Sequence, residues 1–239
     1  MKKLLLAAFA AAFLCTAAQA ADQKAQTQPA DPFEWTQPTY KTYTVFNLGI
    51  FPKIPGWQDN TETIGIKTGW PAVTGMNATM TGFESSWAYS GSEYVTGLQA
   101  SMAVDWNRYC RGMQAVLGVN FSMEALDGMQ AAVGFNFANN IRGMQAGSMN
   151  FAQNLTGFGA GVIGNITGNT EGVQAGLFDL TGKLDGLQFG GINIVKESCD
   201  NCWQVGLWNQ AKEKGIQFGL INIIKGGKMP FMILFNYAD

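Results

Sequence analysis

The stretch GMQAVLGVNF (112–121), followed by GMQAAVGFNF (128–137) and GMQAGSMNF (143–151), decides the fold class, because it recurs. Upstream stands GLQASMAVDW (97–106). Downstream come GFGAGVIGNI (157–166), GVQAGLFDL (172–180), GLQFGGINI (186–194), CWQVGLWNQ (202–210) and GIQFGLINI (215–223). The leading positions lie 15, 16, 15, 14, 15, 14, 16 and 13 residues apart. A degenerate unit, GFESSWAYS (82–90), precedes the series and MPFMILFNY (229–237) closes it. A short fixed period indicates one structural unit stacked or paired many times over.

Within a unit the apolar pattern has period two. Met113, Ala115, Leu117, Val119 and Phe121 fall on one face of a strand; Gln114, Val116, Gly118 and Asn120 fall on the other. The connecting segments hold the charges, including Asp127, Arg142, Glu171, Lys183, Asp185, Lys196, Glu197 and Lys212. They also hold turn pairs such as Asn139-Asn140, Gln153-Asn154 and Gly168-Asn169. The chain reads as all-β. Upstream, TYTVFNLGIF (42–51) and ETIGIKTGW (62–70) read as two further strands, an atypical start to the same array.

Two architectures satisfy the pattern. In the first, each unit is one strand of an antiparallel meander closing into an outer-membrane-type β-barrel, with the Met/Ala/Leu/Val/Phe face toward lipid. In the second, each unit is one coil of a β-solenoid of about 15 residues. Two amide rows then stack: Gln114, Gln130, Gln145, Gln174, Gln188, Gln204 and Gln217, and Asn120, Asn136, Asn150, Asn165, Asn193, Asn209 and Asn222. The mixed odd and even spacings and the Ala238-Asp239 ending favour the solenoid. Against it, a straight ten-residue strand of about 33 Å does not fit a 15-residue coil, so each unit must bend in the middle. The apolar ending PFMILFNY is also a poor solubilising cap. On balance the barrel is the expected architecture, with a structural or pore-like role. A soluble or surface-tethered solenoid acting as an adhesion or binding module is the alternative.

The N-terminus carries an export pattern. Lys2 and Lys3 precede an apolar run from Leu4 to Leu14 and the small-x-small site Ala18-Gln19-Ala20, so residues 1–20 read as a cleaved signal peptide. Leu14 fits poorly before a lipid-attachment cysteine at Cys15, which favours ordinary cleavage before Ala21. Residues 21–41, rich in Gln, Thr, Pro and Asp, read as a flexible linker. Residues 42–81 hold the atypical strands, and 82–239 the repeat array continuous with them. The expected setting is the outer membrane or cell surface, with outer-membrane lipid as the expected partner; a periplasmic or secreted protein is the alternative.

The inventory restricts chemistry. There is no histidine, which removes Ser-His and Cys-His nucleophile pairs and histidine metal ligands. Charged residues are 13% and the net charge is −2, so the composition offers no nucleic-acid surface. The reading is of a non-enzymatic protein with no cofactor, catalytic or metal site. Cys199-Asp200-Asn201-Cys202 reads as a local disulfide, given an exported chain and no second such pair. Cys110 is left over, in the connection from Asn107 to Arg111.

With GVQAGLFDL, GLQFGGINI, GIQFGLINI and the ending KMPFMILFNY in view, the chain resembles a bacterial family of exported surface-repeat proteins. The unit of that family reads G-[LVF]-Q-x-G-x-x-N. The resemblance spans Gly82 to Tyr237. It implies export and a surface or outer-membrane setting, and no enzymatic activity. The units from Gly82 and Gly157 lack the glutamine.

Overall fold

A computed structural model describes residues 31–38, 42–50 and 60–238. The proposed signal peptide, linker residues 21–30 and 39–41, and the last residue of the first strand reading, Phe51, lie outside the described residues. The chain divides into two units, one ending at Trp35 and one running from Thr36. In the first, Asp31 shapes a turn, its side chain accepting the Phe33 amide at 2.9 Å and its carbonyl the Glu34 amide at 3.1 Å.

The second unit holds one nine-stranded sheet in sequence order. Its strands are β1 (Thr42–Gly49), β2 (Thr61–Gly69), β3 (Ala72–Ser86), β4 (Tyr89–Ser101), β5 (Val104–Val116), β6 (Val119–Ala132), β7 (Phe135–Ala211), β8 (Gly215–Ile224) and β9 (Phe231–Ala238). Every pairing from β1 to β8 is parallel; only β8–β9 is antiparallel. The described residues include no α-helix. This is a β-solenoid of about 11 turns and not the expected barrel. An antiparallel meander turning at Asn139-Asn140 would set Gln130 opposite Met149. Instead Gln130 pairs with Gln145 and Gly128 with Gly143, like residue beside like.

The glycines explain how a coil closes. The leading glycine of ten turns, from Gly65 to Gly215, adopts a positive φ between 127° and 142°. Those backbone conformations bend the coil where an L-residue is strained. Each glycine also lies against the one before it: a Cβ on Gly128 would stand 2.0 Å from the Gly112 carbonyl oxygen, and one on Gly143 2.0 Å from that of Gly128. The second glycine serves the same close approach, since a Cβ on Gly134 would stand 2.3 Å from the Gly118 oxygen. The strand is therefore bent rather than straight, which removes the length objection to a 15-residue coil.

Asn139-Asn140, Gln153-Asn154 and Gly168-Asn169 are not hairpins but points inside the continuous β7. They form a corner where side chains stack from coil to coil. Asn154 Nδ2 donates to Asn140 Oδ1 at 2.7 Å, and Asn169 Nδ2 to Asn154 Oδ1 at 2.7 Å. Nearby, Asp127 accepts from Arg142 Nη2 at 2.5 Å and Nε at 3.2 Å. The Arg142 hydrogen bonds hold the Asp127 carboxyl below its usual range.

The interior is narrow. An apolar column runs through Met80, Val95, Cys110, Leu126, Ile141 and Leu155, so Cys110 is a core residue and not a surface turn. Burial pushes its thiol pKa well up. Further along, Leu184, Val195 and Ala211 pack with Cys199 and Cys202, which are disulfide-bonded with Cα atoms 5.4 Å apart. The sulfurs are thus buried in the core, and the bond spans the two exposed residues Asp200 and Asn201. Cys202 stands at the leading-glycine position, just before the Trp203–Ile216 pair; a Cβ on Gly215 would meet both sulfurs at 2.9 Å. At the C-terminal end β9 covers the last coil, leaving Phe231, Ile233, Leu234 and Phe235 largely exposed.

Candidate functional site: amide ladders and an apolar groove

Alternation along each strand sends Gln114, Val116 and Asn120 inward and leaves Met113, Ala115 and Leu117 outward. The amides do not line a pore. They fill the interior as two ladders, with every glutamine and asparagine of the two rows buried.

In the glutamine row, Nε2 donates to the Oε1 of the preceding coil, except at Gln174. Gln114 donates to Gln99 at 3.0 Å, Gln130 to Gln114 at 2.8 Å and Gln145 to Gln130 at 2.9 Å. Gln188 donates to Gln174 at 2.9 Å, Gln204 to Gln188 at 2.8 Å and Gln217 to Gln204 at 2.7 Å. The second N–H goes to a carbonyl of the same coil, as from Gln130 to Phe137 at 3.2 Å. The asparagine row has the opposite polarity, Nδ2 donating to the next coil until Asn222, which turns to the Gly219 carbonyl at 2.8 Å. Asn120, Asn136 and Asn150 each donate to the following asparagine at 2.8 Å, as do Asn193 and Asn209.

The breaks are as ordered as the rungs. Gly159 stands where a glutamine belongs, so Gln145 Oε1 has no donor and Gln174 Nε2 turns to the Thr167 hydroxyl at 2.9 Å. At the N-terminal end the glutamine column continues as charge. Gln99 Nε2 donates to Glu84 Oε1 at 3.1 Å, and Glu84 Oε2 lies 3.6 Å from Lys67 Nζ. Lys67 donates to Ser92 Oγ at 2.6 Å, and Ser92 donates to Glu84. Lys67, Glu84, Asp105 and Asp179 are fully or almost fully buried, which corrects the expectation that charge stays between units. Their signal was positional: Glu84 falls in the glutamine place of GFESS, and Asp105 and Asp179 in the asparagine place of VDW and FDL.

The outer surface is apolar along one flank. Ala115, Ala131, Ala146, Ala160 and Ala175 form a floor, and Leu117, Val133 and Val162 stand beside it, 56%, 65% and 81% exposed. Together with their neighbours they enclose an open groove of about 910 Å³ without a charged residue in its lining. Phe121, Phe137 and Phe151 stack on the outside as a further apolar row, with ring centroids 5.1 and 4.7 Å apart. Arg111, Asp127 and Arg142 stand on the other side of the leading-glycine column in each coil.

Among the described residues, no cluster of three or more His, Cys, Asp or Glu side chains could hold a metal ion. No described helix is long and apolar enough to cross a membrane. The fold and these rows define a parallel β-solenoid built on internal amide ladders. No family model, curated protein or solved structure matches the chain.

Proposed function

We propose that this chain is an exported, non-enzymatic β-solenoid binding module, tethered at the bacterial surface, whose apolar flank meets membrane lipid. The observation that carries this reading is the groove: five consecutive coils present alanines in register, with exposed aliphatic side chains alongside and no charge. Continuous apolar surface of that kind on a folded body marks a place of contact. Acyl chains suit a floor of methyl groups that offers no hydrogen-bonding side chain. The ladders suit the role of a stiff scaffold, since most interior amides are tied to a neighbouring coil.

Two sequence features support the setting. Residues 1–20 carry a secretory pattern, and the repeats resemble those of exported surface-repeat proteins. The test is flotation of the purified protein with vesicles of outer-membrane lipid. Wild type should rise with the vesicles, and the double variant Ala131→Glu, Ala146→Glu should stay at the bottom while keeping its β circular dichroism. Equal flotation of the two, or no flotation of either, would refute the assignment.

A further inference from the structure

Four interior acceptors of the two ladders have no hydrogen-bond donor: Gln145 Oε1, Gln217 Oε1, Asn120 Oδ1 and Asn193 Oδ1. The first two follow from the ladder itself, because Gly159 follows Gln145 and the glutamine row stops at Gln217. The other two share a different cause. Each is an asparagine whose preceding coil carries an aspartate in the donor position: Asp105 pairs with Asn120, and Asp179 stands one coil before Asn193.

The geometry around Asp179 shows which oxygen stands for which atom. Asn165 Nδ2 donates to Asp179 Oδ1 at 2.6 Å, so Oδ1 takes the carbonyl place of an asparagine. Oδ2 takes the amide place. In the following coils the amide nitrogen lies over the glycine next along: Asn193 Nδ2 is 2.6 Å from where a Cβ on Gly206 would stand, and Asn209 Nδ2 is 2.6 Å from that on Gly219. Asp179 Oδ2 holds the same position over Gly190, at 3.1 Å. An asparagine there donates to the next asparagine, as Asn193 does to Asn209 at 2.8 Å. Asp179 Oδ2 is unpartnered, and so is Asn193 Oδ1. Two lone-pair oxygens set at a rung position repel unless a proton lies between them. Asp105 repeats the arrangement: it pairs with Asn120, whose Oδ1 is unpartnered.

We propose that Asp105 and Asp179 are held in the folded solenoid as neutral carboxylic acids, each donating its proton to the asparagine ladder of the next coil, which makes the scaffold a pH-responsive body. In acid the asparagine ladder runs unbroken. As the carboxyls ionise, two rungs become pairs of acceptors and the coils on either side of them loosen.

The surroundings agree. Burial is the main influence raising the Asp179 carboxyl, to about 6; hydrogen bonds from Asn165 and Gly176 oppose it. Burial also leads for Asp105, raised to about 7; hydrogen bonds from Ser101 and Ala115 oppose the rise and the Glu84 charge adds to it. Tyr89 and Cys110 also feel the Asp105 charge, and Glu84 faces Lys67. Both carboxyls have folded values above their ordinary 3.8. The stabilisation is therefore complete below about pH 4 and is lost as pH rises through about 6 for Asp179 and about 7 for Asp105. For Asp179 alone the rise corresponds to roughly a hundredfold in the folding equilibrium across that window.

The test is urea unfolding of the full chain between about pH 4.5 and pH 8.5, with Asp179→Asn, Asp105→Asn and the double variant beside wild type. An asparagine supplies the missing N–H at every pH. The wild-type midpoint should fall as pH rises, each single variant should lose part of that slope, and the double variant should be nearly flat and exceed wild type above about pH 7. The Lys67–Glu84 pair is untouched in the double variant, so a slope persisting there belongs to other groups and overturns the proposal. If a variant does not fold, infrared spectra of wild type labelled at aspartate decide. A protonated carboxyl stretch at about pH 5 that vanishes by about pH 8 supports the proposal, and its absence at about pH 5 sinks it.

Discussion

Replacing Gln130 by leucine tests whether the ladder holds the coils together. The two side chains are similar in size, so the change is mainly in hydrogen bonding. Gln130 Nε2 serves Gln114 Oε1 at 2.8 Å and the Phe137 carbonyl at 3.2 Å; its Oε1 receives Gln145 Nε2 at 2.9 Å. Leucine removes all three and leaves a buried acceptor above and a buried donor below. Each orphaned group costs about 1–3 kcal/mol, so the two cost about 4 kcal/mol at mid-range; leucine regains about 1–2 kcal/mol by burying apolar area, leaving a net loss of about 2–3 kcal/mol. Gln145→Leu supplies the comparison. Its Oε1 already lacks a donor, so that replacement orphans one group fewer and should be milder by about 1–2 kcal/mol. Because stacked repeats can melt locally, urea midpoints should be read with hydrogen exchange resolved by peptide. The Gln130 variant should lose protection in β5, β6 and the first turn of β7. A Gln130 variant within about 1 kcal/mol of wild type, or a Gln145 variant equally damaged, would refute the view that the ladder stabilises the stack.

With the native cysteines replaced by serine, Gln130→Cys and Gln145→Cys should cross-link under mild oxidation, since paired parallel residues lie about 4.8 Å apart. Gln130→Cys with Met149→Cys should not, and the reverse outcome would restore the antiparallel meander. Gly128→Ala puts a methyl 2.0 Å from the Gly112 oxygen at a φ of 142°, and should cost about 3 kcal/mol or more in thermal unfolding. Gly226→Ala, with no contact closer than 3.3 Å, should change stability by less than about 1 kcal/mol; equal effects would remove the glycine column from the explanation.

The class, the period and the faces of the strand were legible in the residues. The stretch GMQAVLGVNF alternates whatever lies beside it, and the recurrence of Gln and Asn at fixed places marks two rows before any neighbour is known. The buried acids were legible too, had the units been aligned by column: Glu84 replaces a glutamine, and Asp105 and Asp179 replace asparagines. Read along the chain, they look like ordinary surface charge. What only the tertiary structure decided is the direction of the neighbour. Period two sends Gln130 to one face in an antiparallel hairpin and to the same face in a parallel coil, so alternation cannot distinguish them. That distinction lies in the backbone of Gly128, whose positive φ and contact with the Gly112 carbonyl exist only when one coil rests on the last. Nor can an apolar outward face alone separate a lipid-spanning wall from the flank of a solenoid. Both present Met113, Ala115 and Leu117 outward, and the closure that would make a barrel is a property of the whole sheet, in which β1 and β9 stand at opposite ends of the strand order.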